Sequence, residues 1–127
     1  MANNMPRFDK YPLPGDSIVW RNGGFTLTAS IDSDDVATPR EFDCYSEEDI
    51  KRWEADEWCY VGIVVLAEYG GWLLGDTAAS LWGLEYCWTE DSSDYLSDVA
   101  AELFAEALQV AKVELAKLRT AENTEEN

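Results

Sequence analysis

Residues 60–67 read YVGIVVLA, an unbroken apolar run that ends shortly before Gly70-Gly71. Four of its residues are β-branched, and a short apolar run bounded by glycines is typical of a strand in the middle of a sheet. We therefore expect a central strand here, covered on both faces. Residues 78–86 alternate more visibly, which predicts a second strand paired antiparallel with the first. Residues 69–77 are too many for a two-residue turn and too apolar for a free loop, so 72–74 are expected to lengthen one strand.

Upstream of this pair, Asn22-Gly23-Gly24 separates two runs of β-forming residues, 17–21 and 25–31. Asn-Gly is the strongest short-range signal for a hairpin, because both residues of the turn can adopt positive φ. The sequence therefore predicts a β-hairpin. Before it, residues 1–16 contain three prolines and are expected to lie extended along the surface or to fray.

Two helices are predicted from capping signals and from apolar periodicity. Ser46 fits an N-cap followed by acids in the first turn, with Asp49 completing a capping box, so a short helix should reach about Asp56. Ser92 or Ser93 fits the cap of a long helix that ends near Arg119. The apolar residues that recur along it are Leu96, Val99, Leu103, Phe104, Ala107, Val110, Leu115 and Leu118.

These elements predict an α+β fold: an antiparallel sheet of about four strands, one short helix, and a long C-terminal helix packed on one face of the sheet. The expected organisation is an extended segment at 1–16, a single α+β domain at 17–119, and a frayed acidic tail at 120–127.

The charge of the chain is its most unusual property. Twenty-six acids against nine bases give a formal charge of −17 on 127 residues. Between Arg52 and Lys112 there is no positive side chain and there are twelve carboxylates. Solubility needs a net charge of only about 2 to 8 in magnitude, and self-repulsion at this density opposes compaction. Six Trp, six Tyr and four Phe exclude a disordered acidic chain, so a folded anionic surface for a basic partner is expected.

Several classes of function are disfavoured by composition. Histidine is absent, which removes the commonest general base and metal ligand. The three cysteines show no C-x-x-C spacing and are expected to be free thiols. No apolar run could cross a membrane, and residues 1–10 do not look like a secretory signal, so a cytoplasmic protein is expected. We expect no catalytic residue, no metal and no cofactor.

Two groups of acids are the candidate binding surfaces for such a partner. The first is a ridge on the long helix in which carboxylates recur every fourth residue, at steps of about 6 Å. It comprises Asp94, Asp98, Glu102 and Glu106, and Asp91 precedes it. The second lies on the loop after the hairpin and on the short helix, with Asp32, Asp34, Asp35, Glu47 and Glu48 as its candidate binding residues. Its spacing does not match a calcium-binding loop, because Val36 and Ala37 stand where a ligand and a glycine are required.

Aromatic side chains are a further source of binding energy at interfaces. Trp20 and Trp88 adjoin predicted turns and are the two surface candidates. For most of the tryptophans in or beside apolar segments, among them Trp58, Trp72 and Trp82, core packing is expected.

The stretches EWCYVGIVV (57–65) and ASLWGLEY (79–86) resemble a signature of small acidic proteins encoded by phages and plasmids. In overall character the chain is also similar to the anti-CRISPR and anti-restriction proteins of mobile elements, several of which act as DNA mimics. This resemblance implies an inhibitor in the host cytoplasm that fills the basic nucleic-acid groove of a CRISPR surveillance complex or a restriction enzyme.

Direct nucleic-acid binding is not expected, because phosphate contacts depend on Lys and Arg. Two alternatives remain open. One is an immunity-type protein that neutralises a basic nuclease toxin, which would concentrate acids and aromatics on one short segment. The other is a phage accessory or structural protein whose acids are spread over every face. The sequence does not define the oligomeric state.

Overall fold

The computed structural model describes residues 5–125, with side chains through residue 121. Four strands form one antiparallel sheet in the order β1-β2-β3-β4, and a long helix crosses one face of it. The predicted α+β architecture is therefore confirmed. The elements are β1 (Ser17–Asn22), β2 (Phe25–Ser33), a short 3-10 turn (Pro39–Glu41), α1 (Glu47–Glu54), β3 (Trp58–Tyr69), β4 (Trp72–Cys87) and α2 (Ser93–Glu125).

The core lies between α2 and the face of the sheet that β2 and β3 present to it. Antiparallel pairing sets Leu27 opposite Ala67 and Ile31 opposite Ile63, and all four side chains are fully buried. The helix contributes a buried stripe at helical spacing, which confirms the predicted inner positions Leu96, Leu103, Phe104 and Ala107. Two other residues of the predicted face, Val110 and Leu118, are exposed, so the prediction is wrong for them. Its buried apolar residues are Leu96, Ala100, Leu103, Phe104, Ala107, Leu108 and Ala111.

Trp20 belongs to this core, so its expected place at the surface is wrong. It pairs with Leu27, which puts it on the buried face of β1, and its ring lies 5.7 Å from that of Phe104 between centroids. Only 8% of its surface is exposed. Proximity to the turn does not decide exposure, because successive side chains of a strand point to opposite faces of the sheet.

The connection between β3 and β4 is a tight turn at Gly70-Gly71, where both residues have positive φ. Tyr69 pairs with Trp72 in this hairpin, so residues 72–77 belong to β4. Residues 72–74 therefore lengthen a strand, as predicted. β4 has 16 residues and β3 has 12, and register shifts at several points of their ladder accommodate the difference in length. Trp72 and Leu73 are exposed at this end of the hairpin, so core packing is wrong for Trp72.

The face of the sheet opposite α2 is only partly covered. The prediction that β3 is covered on both faces is therefore wrong. Trp82 lies across Gly62, where an added Cβ would stand 2.2 Å from the indole ring. Glycine therefore lets the ring approach the strand, although Trp82 itself is half-exposed rather than buried in the core. Val64 and Leu66 remain half-buried, because α1 packs only near the Trp58 end of β3.

The segment before β1 runs without regular structure, as expected, but it is part of the domain. Phe8 is buried in the core, and its backbone N–H donates to Ser97 Oγ at 2.8 Å. Tyr86 Oη donates to the carbonyl of Pro12 at 2.8 Å. The segment up to Asp16 and the α+β domain after it therefore share one core. Residues 1–4 lie outside the described part.

At the other end of the chain, α2 continues to Glu125, six residues beyond the predicted end at Arg119. Residues 120–125 contain neither glycine nor proline, so nothing in the sequence stops the helix there. The helix thus includes 120–125, where a frayed tail is expected, and residues 126–127 are outside the described range. No helix in the described part of the chain is long and apolar enough to cross a bilayer.

Candidate acidic interface

The topology collects most of the acids at one end of the molecule. Because the sheet is antiparallel, β2 ends, β3 begins, β4 ends and α2 begins at the same end. Residues 32–57 comprise the end of β2 and its connection to β3, and they carry eleven carboxylates and three bases. Residues 85–98 comprise the end of β4, its connection to α2 and the first turns of α2, and they carry five carboxylates and no base. We call these two segments together the acidic end.

The opposite end, which we call the hairpin end, holds the glycine turns and the C-terminal part of α2. Arg21 lies beside the first turn, and Lys112 and Arg119 line a depression with Gly23 and Tyr69. Arg119 stacks over the Tyr69 ring at 5.7 Å from its centroid. Lys117 lies on the same part of α2. The acidic end holds sixteen of the 26 acids and only three of the nine bases, whereas the hairpin end holds four bases. The net negative charge is therefore concentrated at the acidic end.

The structure places the predicted ridge on the exposed face of α2. Asp94 is almost fully solvated, with 97% of its side chain exposed. Arg7 reaches the first two carboxylates of the ridge, at 3.0 Å from Asp98 and 3.6 Å from Asp94. Such exposed ion pairs contribute little to stability, but they reduce the charge available to a partner. Within the described side chains, Glu102 and Glu106 form no ion pair, so they present their full charge.

Two of the predicted binding residues use their carboxylates to hold the backbone. Asp91 Oδ1 accepts from the N–H of Tyr11 at 2.9 Å and of Ser93 at 3.0 Å. It thereby caps the start of α2 and fastens the N-terminal segment. These backbone hydrogen bonds lower the pKa of Asp91.

Asp34 joins the acidic loop to β4. Its Oδ1 accepts from the N–H groups of Val36 and Ala37 at 3.1 Å, and its Oδ2 accepts from that of Gly83 at 2.9 Å. Partial burial would raise the pKa of Asp34, but the three backbone donors outweigh it and the pKa is lowered. Asp32 and Asp35 flank this residue and are exposed, as are Glu47 and Glu48 on α1.

Replacing Asp34 with Asn should destabilise the fold by about 1 to 3 kcal/mol at neutral pH, because one carboxylate oxygen becomes a donor that faces a backbone N–H. A group whose pKa is lowered by folding stabilises the native state above its ordinary pKa of 3.8, and the contribution is lost as the pH falls through the folded pKa. Urea unfolding at neutral and acidic pH measures this. The gap between wild type and Asp34→Asn should close as the pH falls below about 4, and a gap that is independent of pH would contradict the assignment.

A cleft of about 630 Å³ opens between α1 and the β4–α2 connection, inside the acidic end. Its walls combine aromatic rings with carboxylates. Tyr45 stacks on Trp58 at 5.4 Å between centroids and donates to Glu85 Oε1 at 2.5 Å. Burial and the hydrogen bond to Glu85 raise the pKa of Tyr45 above its ordinary value, so its hydroxyl stays protonated. The lining residues are Tyr45, Asp49, Arg52, Trp58, Glu85, Tyr86, Cys87, Glu90, Asp91, Ser92 and Tyr95.

Exposed aromatic side chains surround this region. Phe42, Trp82, Trp88 and Tyr95 are each about half-exposed. Trp88 is therefore at the surface, as predicted, and its ring packs edge-on against Tyr86. Four members of this surface were not predicted from the sequence: Phe42, Glu85, Glu90 and Tyr95. Helical periodicity could have identified Tyr95, because it lies on the solvent side of α2 near Asp94, whereas the place of Glu85 depends on contacts across forty residues.

Among the described side chains, no group of three or more Cys, Asp or Glu residues is placed to hold a metal ion. Cys44, Cys59 and Cys87 are free thiols. No family model matches the chain, and no curated protein or solved structure was found to match it.

Proposed function

We propose that this protein inhibits a nucleic-acid-binding protein by presenting the acidic end to its basic groove. The observation that carries the proposal is the polarisation of charge. Residues 32–57 and 85–98 lie together, and four bases lie at the hairpin end. A surface of one sign attracts a surface of the other, speeds association, and repels nucleic acid from the same place.

The distribution argues against charge that serves solubility alone. Solubility depends on net charge and is satisfied by acids dispersed over all faces. Here the repulsion among clustered carboxylates costs stability without improving solubility further. A cationic partner removes this cost, because its Lys and Arg side chains neutralise the cluster when the complex forms.

The dimensions of the surface also suit a groove that holds nucleic acid. From Asp94 to Glu106 the ridge is about 18 Å long, at about 1.5 Å per helical residue, and the acids of the loop and α1 extend the anionic surface. The resemblance of 57–65 and 79–86 to proteins of mobile elements makes a host defence system, either a CRISPR surveillance complex or a restriction enzyme, the target that we propose.

Affinity capture from a bacterial host lysate tests this function. Proteins retained on the immobilised chain should be basic nucleic-acid-binding proteins, and both rising salt and added duplex DNA should release them. Retained proteins that neither salt nor duplex DNA releases would contradict the proposal, because occupation of a nucleic-acid groove requires competition with nucleic acid.

A second candidate is an immunity-type inhibitor of a basic nuclease toxin. The half-exposed aromatics beside the cleft favour it, since Trp and Tyr are the usual anchors of such interfaces.

Alanine at Trp88 and Tyr95 separates the two candidates. An anchored toxin inhibitor should lose about 2 kcal/mol or more of binding free energy, about thirtyfold in affinity. A mimic that binds through charge should lose less than about 1 kcal/mol. Isothermal titration of the captured partner measures the difference.

A further inference from the structure

The solvent face of α2 becomes apolar toward its C-terminal half, beyond the acidic ridge. Val110 is 38% exposed and Val113 is 54% exposed, and the two side chains line one shallow depression of the surface with Gln109 and Glu114. Small side chains continue the same strip, with Ala116 and Ala121 exposed and lining a shallow depression beside Val113. A helix face of this kind allows another helix to approach closely. Nothing in the described part of the chain covers it.

We propose that a second copy of this chain covers the strip, with the two α2 helices antiparallel about a two-fold axis between Val110 and Val113. The distribution of charge favours this part of the surface for contact between two copies. Two bodies of charge −17 repel each other over most of their surfaces. The repulsion is weakest at the hairpin end, where Lys112, Lys117 and Arg119 provide three of the nine bases.

The sequence of the strip is complementary to itself in this arrangement. A two-fold axis between Val110 and Val113 sets each Val110 against Val113 of the second copy. Glu106 lies four residues before Val110, and Lys117 lies four residues after Val113. The same axis therefore brings Glu106 to Lys117 of the second copy, twice in the dimer. An isologous interface requires this kind of self-complementarity.

The existing contacts of the two charged residues do not oppose the pairing. Glu106 forms no ion pair among the described side chains. Lys117 Nζ lies 3.1 Å from Glu114 Oε1, in an exposed pair that contributes little to stability. Exchanging Glu114 for Glu106 of the second copy as the partner of Lys117 therefore costs little free energy. Because the apolar part of the contact is small, the dimer should be weak and should form at micromolar concentration or above.

The proposed dimer would keep both acidic ends open, although it uses Glu106, the last carboxylate of the ridge, for the pair with Lys117. The axis lies about 28 Å along α2 from Ser93, so the antiparallel arrangement directs the two acidic ends to opposite ends of the pair. The inference does not depend on the proposed function. A chain that dimerises without binding a basic partner would support one proposal and contradict the other.

Sedimentation equilibrium of the full chain, from low to high micromolar concentration, tests the dimer. The wild-type mass should rise from 14.3 kDa toward twice that value. Val113→Glu should weaken the dimer at least about tenfold, since it places like charges at the centre of the contact. Val36→Glu adds the same charge at a side chain that is 87% exposed outside the strip, and it should change the mass distribution little.

A charge exchange identifies the geometry. Lys117→Glu alone should weaken the dimer, whereas Lys117→Glu combined with Glu106→Lys should restore it, because the pair is re-formed with reversed sign. Circular dichroism confirms that each variant retains its helix. A wild-type chain that stays monomeric at every concentration would overturn the proposal and leave the strip to a partner of different sequence. A dimer that survives Val113→Glu, or an exchange that does not restore it, would also overturn the proposal.

Discussion

Replacing Asp35 and Glu47 together with lysine is expected to weaken binding to the basic partner by about 10- to 100-fold. Both side chains are exposed at the acidic end and accept no hydrogen bond among the described residues. Each reversal removes an attraction and adds a repulsion, which amounts to about 1.4 to 3 kcal/mol for the pair. Loss of Glu47 from the first turn of α1 costs at most about 1 kcal/mol of stability, too little to unfold the domain. Titration calorimetry at constant salt measures the change.

The matched control reverses Glu68 and Asp76, which lie on β3 and β4 outside the acidic end. It changes the net charge by the same amount. If the acidic end is the binding surface, this variant should bind within about threefold of wild type, because charges farther than about 10 Å from the partner are largely screened. Circular dichroism checks that reversal of the half-buried Glu68 leaves the sheet intact. Equal losses in the two variants would show that total charge, rather than its location, governs binding.

Replacing Phe104 with alanine is expected to lower the free energy of unfolding by about 3 to 5 kcal/mol. The ring is fully buried between α2 and the sheet, and it packs against Trp20. Its removal leaves a cavity beneath β1 and takes away a contact that joins the helix to the edge of the sheet. Since domains of this size are stable by about 5 to 15 kcal/mol, the variant should lose a large share of its stability.

Urea unfolding followed by tryptophan fluorescence measures this loss. Val36→Ala serves as the control, because an exposed loop side chain should contribute less than about 0.5 kcal/mol. A loss below about 1 kcal/mol for Phe104→Ala would contradict the packing of α2 on the sheet.

Local signals in the sequence were sufficient for much of the fold. The glycines after Asn22 produce the first hairpin, although the turn is Gly23-Gly24 and Asn22 is the last residue of β1. Ser46 and Asp49 form the predicted capping box, with each side chain accepting from the backbone of the other. These features depend on residues within a few positions of one another, so a single sequence reveals them.

Burial of the tryptophans could not be predicted in the same way. Trp20 is buried and Trp72 is exposed, although a turn adjoins the first and an apolar segment contains the second. The reason is that burial depends on which face of the sheet α2 covers and on where that helix ends. Both are set by contacts between residues far apart in the chain.

The candidate site was predictable in its residue types but not in its arrangement. The two acidic groups were identified from sequence, yet only the antiparallel topology brings 32–57 and 85–98 to the same end. The anchoring role of Asp34 depends on Gly83, forty-nine residues away. A carboxylate that holds a loop and one that faces solvent look alike in sequence, because the difference lies in distant backbone donors.

A mobility-shift experiment with three components tests the central claim most directly: the captured partner, a labelled duplex that it binds, and this protein. If the acidic end fills the nucleic-acid groove, adding the protein should release the duplex, and the label should run as free nucleic acid. A slower band that contains partner, duplex and protein together would contradict the account, since one groove cannot hold both ligands at once.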